Sequence, residues 1–216
     1  MKNISVVFIL LIVSVFNGCS QNQPNTGEFY LEKKKDFEKR FVDQFPEKIS
    51  SSSDSNRVFS DMDEKKNDVA FMLYEYGLPE KVLQSVGNKY RKQAIATYTY
   101  LDSCLLIVNR FETKKTMDNR ESADIKDSTL LDKECYHNKL PIPNFIIYDG
   151  NNGNQNFGLD SSFTIYVFEA KKINSWLKEF NMKPAYQMPK QWQNGYSKGI
   201  AISKEKRTVI YWTVMW

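Results

Sequence analysis

The chain has 216 residues, 41% of them hydrophobic and 14% aromatic, and a formal charge of +4. That apolar content excludes a disordered chain, and the length suits one domain with its own core. Lysines and arginines are interleaved with acidic residues, so no basic stripe of the kind that grips nucleic acid is present and no nucleic-acid partner is expected.

Lys2 precedes an apolar run at residues 4–16 that is broken only by Ser5 and Ser14. As a helix this run reaches roughly 20 Å at about 1.5 Å per residue, too short for a hydrocarbon core of about 30 Å. Its length and basic flank fit a secretory h-region. An ordinary signal peptidase prefers small residues at the first and third positions before the cut, and Phe16 is a poor third. Val15-Phe16-Asn17-Gly18-Cys19 resembles instead a loose bacterial lipobox, which implies cleavage after Gly18 and acylation of Cys19. Residues 1–18 are therefore read as a lipoprotein signal peptide, 19–27 as the lipidated cysteine with a Pro24-containing tether, and 28–216 as a single domain.

Within that domain, Tyr30, Phe37, Phe41 and Phe45 fall near one side of a predicted helix over 28–45, which Pro46 stops. Residues 50–55 are a serine-rich loop. Ser60 and Asp63 have capping-box spacing before a second predicted helix, striped by Val69, Met72, Leu73 and Tyr76 and ended by Gly77. Pro79 opens a third, short helix that closes at Gly87. From residue 94 the pattern turns to β: a hairpin of 94–101 with 104–112 is expected around Asp102-Ser103. Residues 113–138 are polar and charged. Strands are predicted at 144–149 and 162–169, a helix at 173–180 and a hairpin of 199–203 with 208–216. The last strand is apolar on both faces, which places it centrally in the sheet. The expected fold is α+β, an antiparallel sheet of about five to seven strands with N-terminal helices packed on it.

Lipidation of Cys19 leaves Cys104 and Cys135 as an even pair in an oxidising compartment, where a bridge would close a loop of about 30 residues. A buried thiol at Cys104, beside Leu106 and Val108 on a strand face, is equally natural. His137 is the one histidine, which excludes sites needing two imidazoles, and no G-x-S-x-G elbow exists. Asp61 and Asp63 fit the field at a helix start, while Asp124, Asp127, Asp132 and Glu134 read as a solvated stretch. No catalytic constellation, metal site or cofactor is predicted. The loop 149–160 spaces its oxygen-bearing side chains much as a calcium loop does. Its sixth place is Asn154 and not glycine, its twelfth is Asp160 and not glutamate, and its flanks are strands. Asn151, Asn152 and Asn154 are better candidates for contact with a partner.

Trp176, Tyr186, Trp192, Tyr196, Tyr211, Trp212 and Trp216 crowd the C-terminal third. Most fall on amphipathic core faces; Trp192 and Tyr196, in an irregular proline-containing segment, are the pair expected to face a protein or glycan. Gly195-Tyr196-Ser197-Lys198-Gly199-Ile200-Ala201-Ile202 followed by Tyr211-Trp212 resembles a pattern in small lipoproteins of the Bacteroides group. The resemblance implies a Gram-negative outer-membrane lipoprotein and brings no catalytic residues. The expectation is an envelope lipoprotein, held to the membrane by the lipid on Cys19, that binds a protein partner, as an immunity or inhibitor protein does. The alternative is a glycan-binding or glycan-processing accessory protein.

Overall fold

From Val209 to Trp216 only Thr213 is polar, and a strand apolar on both faces must be covered on both. In a computed structural model, whose described residues are 26–50, 57–61, 69–111, 125, 127–145, 159–173 and 184–216, this strand lies near the middle of an antiparallel sheet. The strands in chain order are β1 (Arg57–Asp61), β2 (Val69–Glu75), β3 (Ala96–Thr99), β4 (Phe163–Lys172), β5 (Gly195–Ser203) and β6 (Thr208–Met215). They lie side by side as β1-β2-β6-β5-β4-β3, so β6 has neighbours on either hand. Every residue of β2, β5 and β6 is buried. With the α-helices found among the described residues, α1 (Thr26–Lys35), α2 (Lys39–Val42) and α3 (Glu80–Arg91), the fold is α+β.

The two faces of the sheet are closed differently. Phe71 and Leu73 of β2, Tyr196 and Ile200 of β5 and Tyr211 of β6 meet Tyr30, Phe41, Leu83 and Tyr90, which the helices supply. On the opposite face Met72, Val167, Ile210, Trp212 and Trp216 meet residues from irregular segments, among them Leu106, Tyr136, Ile142, Phe145 and Trp192. Trp212 and Trp216 fit because β5 gives way to them. A Cβ on Gly199 would lie 2.1 Å from the Tyr166 carbonyl and 2.6 Å from the Trp212 ring, and one on Gly195 would come as close as 2.7 Å to the Lys171 carbonyl. The glycines and tryptophans of the C-terminal pattern are thus partners in packing across paired strands.

The helix expected over 28–45 is broken between Lys35 and Lys39. The reason is geometric. Tyr30 and Phe45 would be about 22 Å apart along a straight helix, yet the rings of Tyr30, Phe37 and Phe45 all sit 4.8–5.9 Å from that of Phe71. Breaking the helix brings them around one ring.

The second predicted helix is not formed. Residues 57–61 and 69–75 are the paired strands β1 and β2, and β2 pairs with β6 from Val69↔Met215 to Glu75↔Val209. Val69-Ala70-Phe71-Met72-Leu73-Tyr74 is a continuous apolar run, which periodicity alone cannot divide between a buried strand and a helix. The third helix runs on through Gly87 to Arg91, since Gly87 does not take the left-handed φ of a helix cap, which Gly77 adopts instead.

The hairpin of 94–101 with 104–112 is also replaced. β3 pairs with β4, and 104–111 crosses the loop-covered face, where Ile107 bridges Ile142 in parallel. Leu105, Leu106 and Val108 are drawn into the core there, a burial no hairpin edge would provide. Asn144 and Phe145 are irregular, with the rest of the predicted strand 144–149 outside the described residues, as is nearly all of the predicted helix 173–180.

Candidate functional site

Beyond β3 the chain turns sharply and is tied down at several points. The Asp102 N–H donates to the Thr99 carbonyl at 3.1 Å, and the Asp102 carboxylate accepts from the Cys104 N–H at 3.0 Å. An aspartate that bonds its own backbone two residues on is a local turn former. Its other oxygen meets the Lys139 ammonium at 2.5 Å, and that bond, followed by the Cys104 N–H, holds the Asp102 carboxyl below the usual range. The same ammonium lies 5.1 Å from the centre of the Tyr98 ring, whose hydroxyl accepts from the Leu140 N–H at 2.8 Å. A disulfide joins Cys104 to Cys135 with their Cα atoms 6.0 Å apart. Four different interactions therefore fasten the 98–104 turn to the 133–140 segment.

At the tip of this fastened turn stand two apolar side chains. Leu101 is 75% exposed and Tyr100 41%, and Ile95, just before β3, is 60% exposed. Hiding a leucine from water is worth roughly 1.5–3 kcal/mol, so an exposed leucine on a floppy loop would find cover locally. Here the restraints keep it outward. β3 is also an edge strand, where sheets accept further chains.

The residues expected to make contacts are placed elsewhere. Trp192 is 6% exposed: the single turn Lys190–Trp192 folds its ring toward Trp216, at 6.2 Å between centroids, and the Trp192 carbonyl accepts from the Trp216 indole N–H. Tyr196 is 3% exposed and meets the Phe41 ring edge to face at 5.0 Å. Both belong to the core, so neither offers an aromatic platform to a glycan or protein. Their segment reads as irregular in sequence, but Trp192 closes a single turn at Lys190–Trp192 and Tyr196 lies within β5, paired with Met215 of β6. Cys19, Asn151, Asn152 and Asn154 lie outside the described residues. His137 is exposed, with Nε2 3.6 Å from Asp132 Oδ1, and the neighbouring Cys135 sulfur is committed to the disulfide.

Among the described residues no group of three His, Cys, Asp or Glu side chains could hold a metal ion, and no described helix is long and apolar enough to cross a membrane. Tyr100 and Leu101 are absent from the sequence-based candidates because they read as the end of a strand. Their signal was the apolar pair standing directly before Asp102-Ser103. No family model, curated protein or solved structure matches the chain.

Proposed function

We propose that this chain is a non-enzymatic lipoprotein of a Gram-negative envelope, tethered through an acylated Cys19, whose fastened turn binds a protein partner. An immunity or inhibitor protein held at the outer membrane is the concrete form of this reading. The observation that carries it is the pairing of exposure with restraint at Tyr100 and Leu101. A turn already fixed in its bound shape loses little conformational freedom on docking, and the gain from covering its apolar tip is kept as affinity. For Leu101 alone that gain corresponds to about tenfold to a hundredfold in Kd.

A photo-crosslinking residue at position 101 of the full chain, in its native envelope, tests the reading. The expected outcome is a discrete protein adduct that does not form when the same residue replaces Glu80, which is exposed on α3. No adduct at 101, or equal adducts at both positions, would sink it.

A further inference from the structure

On the helix-covered face a second feature stands apart from the turn. The β4–β5 ladder slips at Val167, Phe168 and Glu169: Val167 pairs with Gly199, and Glu169 with Lys198. The extra residue is a β-bulge, a device that re-aims side chains. Val167 and Ala170 pack into the loop-covered core, while Phe168 packs against the helix-covered one. Glu169, paired with Lys198, also faces the helices, so two consecutive side chains of one strand share a face.

They help to line a cleft of about 350 Å³ between β4, β5, the end of α2 and the end of α3. Lys198 forms its floor and is only 6% exposed. The Lys198 ammonium donates to the Arg40 carbonyl at 2.5 Å and to Asp43 Oδ1 at 2.8 Å, and stands 3.4 Å from Glu169 Oε2. Its three N–H groups are thereby spent. Glu169 Oε1 meets Lys171 at 2.5 Å, and the Tyr196 hydroxyl also bonds this carboxylate. Burial and that bond to Glu169 push Tyr196 up to about 12, which keeps its hydroxyl a donor. Phe168 stacks on Tyr90 with 4.9 Å between ring centres. Lys89 and Gln93, both exposed, stand at the rim.

The chemistry of this lining selects among ligands. Among the lining side chains Asp43 and Glu169 match Lys89 and Lys198 in charge, and Lys171 on Glu169 adds one positive charge at the edge, so no strong field of either sign fills the cleft. Each carboxylate offers about four lone-pair directions, more than Lys198, Lys171 and Tyr196 use. Lys89 and Gln93 add donors, and Phe168 adds an apolar surface. Acceptors, donors and an aromatic wall in a cleft of mixed charge suit a ring that carries hydroxyls on its edge and C–H groups on its face. We propose that this cleft binds a saccharide residue: its hydroxyls donate to Asp43 and Glu169 and accept from Lys89 and Gln93, with the ring against Phe168. The volume lies at the small end for ligand pockets and suits one sugar residue. This site is independent of the protein-docking turn, since the 98–104 turn is tied to the opposite face of the sheet.

The test is saturation-transfer NMR on the full chain in detergent, with the methyl glycosides of glucose, galactose, mannose and N-acetylglucosamine as probes. The expected result is transfer to the ring protons of at least one glycoside, weakened about fivefold to tenfold in Kd by Lys89→Ala and by Gln93→Ala. Both are rim side chains, and an unchanged thermal melt shows that the variants remain folded. Absence of transfer to all four glycosides, or transfer undiminished in the Lys89→Ala/Gln93→Ala double variant, overturns the proposal. Displacement of a bound glycoside by millimolar putrescine overturns it too, because a cation site would then explain the binding.

Discussion

Glycine positions separate the forced from the free. At Gly199 the approach of the Trp212 ring on one side and the Tyr166 carbonyl on another leaves no room for a methyl group. Gly199→Ala should therefore destabilise the fold by about 3 kcal/mol, near the top of the range for overpacking. Gly87, in the middle of α3 with a would-be Cβ 4.0 Å from Ile202, has no such constraint. Gly87→Ala should stabilise by roughly 0.5–1 kcal/mol through helix propensity. Urea unfolding of the two variants checks both signs at once, and an unchanged midpoint for Gly199→Ala would remove the steric account. The pattern that marks residues 195–212 as distinctive in sequence therefore has a packing cause.

At the level of elements, legibility followed the number of faces an element buries and how local its contacts are. β6 and the 199–203 half of β5 were readable because the polar turn at 204–206 separates two apolar, strand-length runs, whereas 195–198, behind a proline-containing segment, were not. β2 was not, since burial on both faces erases alternation and leaves a run that also fits a helical stripe. The break between α1 and α2 depends on Phe71, far along the chain, and no local residue announces it. The bulge at Phe168 is equally silent, yet it decides that Glu169 faces the helices; the cleft was therefore invisible in the sequence. The fastened turn was half visible: its aspartate and both cysteines could be named, but the outward aim of Leu101 depends on Lys139 and Leu140 holding Asp102 and Tyr98. Replacing Cys104 and Cys135 together by serine opens a loop of 31 residues, at a cost of about 3–4 kcal/mol. Thermal melting should register that loss, and amide exchange across 99–104 should quicken. Exchange as slow as in the parent would mean that the ion pair and hydrogen bonds suffice to hold the turn.

For the molecule as a whole, one sheet separates two unlike surfaces, a helical layer carrying the polar cleft and an irregular layer carrying the fastened turn. If Cys19 is the anchor, Cys19→Ala should shift the mature protein from the membrane to the soluble fraction and end labelling by a fatty-acid analogue. Membrane retention in that variant without acylation would show that something other than a lipid holds it. The difference between the layers also bears on timing. The helical layer closes through apolar contacts and non-covalent polar bonds such as Gln44 to the Trp212 carbonyl and Lys198 to Arg40 and Asp43, which need no oxidant, whereas the irregular layer is fastened by the Cys104–Cys135 bond. In a reducing cytosol that bond is missing, and its 3–4 kcal/mol lowers the folded-to-unfolded ratio by more than about a hundredfold. If the chain is exported as proposed, it stays easier to unravel until it has crossed the membrane, and the oxidant on the far side completes its maturation.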